Sequence, residues 1–212
     1  MTQLPEPAPR VEVHTRRIEF RCYFRNDRMW DIEAALLDIK PYAYTVHRRY
    51  VEAGEPIHRM KVRLTIDDDM VVRDLIAVME NSPFPECNAA IEPMRAIIGL
   101  KMSAGWRKAV DNAIGGIEGC THMRELLYNA ATVAYQSLPS HKTYMQTMSG
   151  AVSDVVESPP AHLDKCKSWA LDGAVVQREM PQFYVSDRSP VESRAPKSSD
   201  EGDRNASKRD TK

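Results

Sequence analysis

Apolar side chains recur at every second position through two early stretches of this chain and at every third or fourth position after Pro83, and that change of period fixes the fold class. In the first stretch Ile18, Phe20, Cys22 and Phe24 alternate with Arg17, Glu19, Arg21 and Arg25. The polar segment Arg25-Asn26-Asp27-Arg28 then turns into a second run, where Trp30, Ile32, Ala34 and Leu36 alternate with Asp31 and Glu33. This pattern predicts a hairpin. A second hairpin follows, with Met60, Val62, Leu64 and Ile66 on one side, Arg59, Lys61, Arg63 and Thr65 on the other, and Asp67-Asp68-Asp69 turning the chain into Met70 to Met79. Between the hairpins, Pro41 to Pro56 holds Tyr42, Tyr44, His47 and the basic pair Arg48-Arg49 and has no clear period.

Beyond Pro83 the spacing is helical. Pro93 fits the first turn of a short helix through Met94, Ile97 and Ile98, where its missing amide costs nothing, and Gly99 is a stop. Trp106, Val110, Ala113 and Ile114 form a second stripe that ends at Gly115-Gly116. The longest helix is expected from Thr121 to about Leu138, with Met123, Leu126, Leu127, Ala130, Ala131 and Ala134 on one face. Residues 139 to 160 read as a loop or weak helix, and Cys166 to Val176 as a last ordered piece docked on the core. Strands first and helices after give an α+β class: an antiparallel meander of about four strands, helices on one face and the other face wet.

A chain of 212 residues suits one domain with a real core. Residues 1 to 10 are proline-rich, and those from about 186 to 212 are almost wholly polar, so both ends are expected to be disordered around a single domain over 11 to 185. A net charge of -1 points to neither nucleic acid nor a membrane surface. The opening residues lack the basic start and apolar middle of a signal peptide, and no run approaches the roughly 20 apolar residues of a membrane span, so a cytoplasmic location is expected. Six cations, Arg17, Arg21, Arg25, Arg59, Lys61 and Arg63, would form a basic sheet face only if the first and third strands were neighbours, and Glu19, Asp31 and Glu33 dilute it.

The chemistry-bearing residues are thiols and imidazoles. Cys22 shares a strand's apolar side and is assigned to the core. Cys87, Cys120 and Cys166 stand at breaks between elements; Cys120 has His122 two residues on, and Cys166 has Asp164 two residues before. Cys87 precedes a helical segment and Cys120 opens the long helix, where amides and the positive dipole end favour a thiolate. Soft thiolates beside imidazole are zinc or iron–sulfur donors. The same thiols also suit plain packing, or a nucleophile, Cys120 or Cys87, with His122 or His58 as its base. His58 opens the third strand on its apolar parity, the usual place of a hydrogen-bonded core histidine. Asp67-Asp68-Asp69 reads as a solvated turn.

Trp30-Asp31-Ile32-Glu33, Leu64-Thr65-Ile66-Asp67-Asp68-Asp69, Gly119-Cys120-Thr121-His122 and Asp164-Lys165-Cys166 resemble an uncharacterised bacterial family, domain of unknown function 2889, over roughly residues 15 to 185. A second resemblance is to NifU/IscU-type iron–sulfur scaffolds. It rests on His58 to Leu64, an acidic turn, Val71 to Leu75, then Cys87, Gly99 and Cys120 opening a helix. It implies that Cys87 and Cys120 match the second and third cluster thiols of that family and that His58 falls on its aspartate. Pro56 stands where the first cysteine would be, so this chain departs from the pattern there. The resemblance turns His58 into a candidate ligand and implies an iron–sulfur-scaffold-like fold. The expected site is Cys87, Cys120 and His58 with His122 or Cys166 as fourth ligand, holding zinc or an iron–sulfur cluster, with a protein partner to serve. A metal-free interaction or small-ligand module and a thiol-dependent enzyme are the alternatives.

Overall fold

Alternation reaches its limit in β2 (Trp30–Ile39), where Trp30, Ile32, Ala34, Leu36 and Asp38 are all buried. A strand flanked on both sides is covered along its whole length on the core face, so every second side chain must be apolar or fully paired. The computed structural model describes residues 4–46, 48–150, 158–160 and 162–186. The chain divides into two compact units, 1–153 and 154–212.

In the first unit β1 (Thr15–Phe24), β2, β5 (His58–Ile66) and β6 (Val72–Asn81) form an antiparallel sheet in the order β1-β2-β5-β6. The stretch without a period supplies a separate small hairpin, β3 (Tyr44–Val46) and β4 (Arg49–Val51), inserted between β2 and β5. His47 lies outside the described residues. Asp67 holds the turn between β5 and β6, accepting from the amides of Asp69 and Val71 and from Arg73, so the three aspartates are a turn, as their setting implied. Cys22 is half-buried against the core, as its parity implied.

The first and third of these long strands are not neighbours. β2 lies between them and sets Glu33 opposite both Arg21 and Arg63. With Arg21 also on Glu19, and Lys61 on Glu80, the solvent face carries both signs of charge and no basic stripe.

Helical segments cover the other face. Two 3-10 helices, Pro85–Ala90 and Glu92–Ile97, precede α1 (Trp106–Ile114). Prolines at the starts of both 3-10 segments remove amides that would have no partner there. The long α2 (Thr121–Met148) lays Met123, Leu126, Leu127, Ala130, Ala131, Ala134 and Leu138 against Ile32, Leu36, Met60, Leu64, Trp106 and Val110 in one core. Its extent departs from expectation: the helix runs through Pro139 to Met148. The apolar stripe does end at Leu138, and no residue after it in the helix is buried. Residues 151–157, part of the stretch expected to be a loop or weak helix, lie outside the described residues, as do residue 161 and residues 1–3 and 187–212 of the expected tails.

The second unit has turns through residues 162–172, α3 (Ala174–Glu179) and a 3-10 turn, Pro181–Phe183. His162 and Trp169 meet edge to face at 4.5 Å. The amide of Asp164, at φ 59°, donates to the Trp169 carbonyl. No described helix is long and apolar enough to cross a membrane.

Candidate functional site

Strand register assembles the site. Asp38 pairs with Arg16 of β1 on one side and His58 of β5 on the other, so the three side chains stand in one row across adjacent strands. Asp38 is 1% exposed. A carboxylate this buried persists as an anion only if its lone pairs are met, and four donors meet them. Oδ1 accepts from Arg16 Nε at 2.8 Å and faces His14 Nε2 at 3.2 Å; Oδ2 accepts from an Arg16 terminal nitrogen at 2.8 Å and from His58 Nδ1 at 2.9 Å. Burial pushes the Asp38 carboxyl up, but the bidentate Arg16 guanidinium, aided by His58, outweighs it and holds the group below the usual carboxylate range. Arg16 is braced in turn by Glu125 of α2 at 2.8 Å.

The first turn of α2 closes over this row. The His122 ring lies 4.0 Å from that of His58, its Nε2 faces Asp38 Oδ2 at 3.9 Å, and its Nδ1 lies 3.7 Å from Cys120 Sγ. Burial pushes both imidazoles below their ordinary pKa; Arg16 adds to this in each ring, and His58 adds to it in His122. At neutral pH both are therefore uncharged, the form with a lone pair to offer. Asp38 decides which nitrogen offers it: with Nδ1 of His58 donating to the carboxylate, Nε2 of that ring is the free donor atom.

His58, Cys87, Cys120 and His122 line one cleft of about 870 Å³, together with Met60, Pro83, Phe84 and residues of the loop Ile117–Gly119. Cys87 lies within the 3-10 helix Pro85–Ala90 and ahead of the second one, Glu92–Ile97, and Cys120 is the last extended residue before α2. Both thiols are half-buried. Cys166, the remaining candidate, is exposed and belongs to the second unit.

Ligand atoms of Asp38, His58 and His122 lie within 4.8 Å of one another, which by proximity alone makes a carboxylate-and-two-imidazole metal set. Asp38 is nonetheless the wrong inner ligand, because Arg16 occupies both of its oxygens. Its place is behind His58, as the group that orients that ring. Cys120 Sγ and His122 Nδ1, 3.7 Å apart, are at thiol–imidazole hydrogen-bond distance, which is also close to the about 3.6 Å between two donors bound at about 2.3 Å and about 2.1 Å in a tetrahedron; neither thiol belongs to the proximity set of Asp38, His58 and His122.

Residues 14–136 match the model of a family described as a protein of unknown function, DUF2889. The chain belongs to the DUF2889 family. No curated protein and no solved structure matches it. The DUF2889 span runs from His14 into α2 and so contains Arg16, Asp38, His58, Cys87, Cys120 and His122, and leaves out Cys166. Asp38, Arg16 and His14 belong to this cluster, and residue type and spacing did not single them out. A signal existed for Asp38: it continues the parity of Trp30, Ile32, Ala34 and Leu36, and an acid on a strand's apolar side needs a partner.

Proposed function

We propose that this DUF2889 protein binds a thiophilic transition metal, zinc or the iron of an iron–sulfur species, through Cys120, His122, His58 and Cys87. The observation that carries the reading is the pair Cys120 Sγ and His122 Nδ1, 3.7 Å apart at the start of α2, in a cleft that also holds His58 and Cys87. The donor set fits the chemistry: two uncharged imidazoles and two thiols, of the softness that zinc and iron–sulfur centres prefer. The bound metal would supply Lewis-acid or cluster chemistry. The chain's own residues hold and aim it: Asp38 fixes the His58 tautomer, Arg16 and Glu125 fix Asp38, and burial keeps the rings unprotonated. The resemblance to NifU/IscU-type scaffolds, which rests on the order of His58, Cys87 and Cys120 along the chain, would imply a bound species that is carried or passed on. The test is anaerobic purification followed by metal and sulfide analysis of wild type, Cys120→Ser and Cys87→Ser. Metal in the wild type, and loss of it in Cys120→Ser, is the expected result.

A second reading has an observation of its own. Cys120, His122 and Asp38 lie in sequence as thiol, imidazole and carboxylate, with gaps of 3.7 and 3.9 Å, the order of groups in a thiol nucleophile with its base and orienting acid. This reading expects Cys120 to alkylate much faster than Cys22, Cys87 and Cys166 in metal-free protein, with the difference abolished by His122→Gln. Equal rates at all four thiols would remove it.

A further inference from the structure

The cleft is far larger than one ion requires. A volume of about 870 Å³ lies in the range that holds a sizeable ligand or part of a chain. Its lip carries apolar groups that stand out of the surface instead of lining an enclosed space: Phe84 is 41% exposed and Ile117 is 100% exposed. A side chain in full solvent cannot wrap a small molecule seated inside the cleft. It can meet a macromolecule laid across the mouth.

The segment that bears Ile117 is tightly specified. A Cβ at Gly115 would lie 2.2 Å from the Asp111 carbonyl oxygen, one at Gly119 would lie 2.3 Å from that of Ile114, and Gly116 has φ +57°. Three glycines therefore fold Gly115–Gly119 back onto the end of α1 and push Ile117 and Glu118 outward, directly before Cys120. Charge selects the partner. Glu86 and Glu118 are the acids lining the cleft; among the described residues neither carboxylate has an ion pair or a side-chain hydrogen bond, and no lysine or arginine lines the cleft with them.

We propose that the mouth of this cleft docks a segment of a partner protein that presents lysine or arginine on either side of an apolar side chain, the bases meeting Glu86 and Glu118 and the apolar group lying against Ile117 and Phe84. The recognition needs no metal, so it stands apart from the metal reading. The test uses the full-length protein and two labelled nonapeptides, one with a central leucine flanked by lysine and arginine and one with glutamate in place of every base, titrated by fluorescence anisotropy. The basic peptide is expected to bind saturably, more weakly as salt rises, and the acidic one at least about tenfold more weakly. Glu86→Lys with Glu118→Lys, and separately Ile117→Ser, are expected to lower the affinity by about tenfold or more; all three side chains are exposed, so circular dichroism should be unchanged. Cys87→Ser with Cys120→Ser should keep peptide binding whether or not the wild type holds metal. Absence of binding, equal affinity for the two peptides, or affinity that survives the lip substitutions would overturn the proposal, as would affinity that vanishes with the thiols alone.

Discussion

At the residue scale, Asp38 is the hinge of the site, because its charge is affordable only while Arg16 and His58 stay in place. Asp38→Ala would leave the Arg16 guanidinium with Glu125 alone and free the His58 ring. Since Arg16 remains about one-third exposed, water covers part of the loss, and we expect a destabilisation of about 2–3 kcal/mol in urea unfolding. The same change should weaken zinc binding about 10–100-fold, as removal of an orienting group behind a ligand does. Acid sensitivity follows from the shifts. Asp38 is depressed in the folded protein, so its contribution is complete above the ordinary value of 3.8 and is lost as pH falls below it. His58 and His122 are depressed from 6.5, so below that pH the unfolded chain takes up protons that the folded chain refuses, and stability falls. The unfolding midpoint of metal-free protein should therefore drop between about pH 7.5 and about pH 5.5, and drop less in His58→Gln with His122→Gln. An unchanged slope in that double variant would count against both rings being held neutral.

At the scale of elements, α2 does two jobs along its length. Its first five turns bury the apolar stripe that ends at Leu138 and present Cys120 and His122 at their start, whereas residues 139–148 bury nothing. Leu126→Ala should cost about 2–5 kcal/mol. Hydrogen exchange should show slow amides over 123–138 and fast ones after Pro139, whose missing N–H breaks the ladder there. Equal protection across Pro139 would contradict this division. The sequence showed the start of the helix and its apolar face, since both are written in spacing. It hid the end, because the exposed turns after Pro139 are held by backbone bonds and by local bonds such as Ser140 to the Gln136 carbonyl and Thr147 to the Thr143 carbonyl, which leave no periodic trace. The loop before Cys120 is a sharper case. Gly119→Ala would drive a methyl group into the Ile114 carbonyl, so we expect lowered stability and impaired metal binding together, read by thermal unfolding and a zinc titration.

For the whole molecule, two hairpins and a helical cover were legible from period alone, because burial of one sheet face dictates alternation. The order β1-β2-β5-β6 is what turned separate residues into a site: it sets Arg16, Asp38 and His58 in one row and interleaves Glu33 among the arginines. The order is the antiparallel meander expected from the two hairpins, but the register that aligns these residues across neighbouring strands is not written in local spacing. His58, Cys87, Cys120 and His122 were named from residue type and place in the chain, and the fold brings those four into one cleft. The most direct test of their joint role is a cobalt(II) titration of anaerobically reduced, metal-free protein, followed by absorption spectroscopy. One equivalent bound with thiolate-to-cobalt charge-transfer bands, weakened in Cys87→Ser and abolished in Cys120→Ser, is the predicted result. A spectrum of free aqueous cobalt, with no change in unfolding temperature on adding cobalt, zinc or iron, would contradict the account.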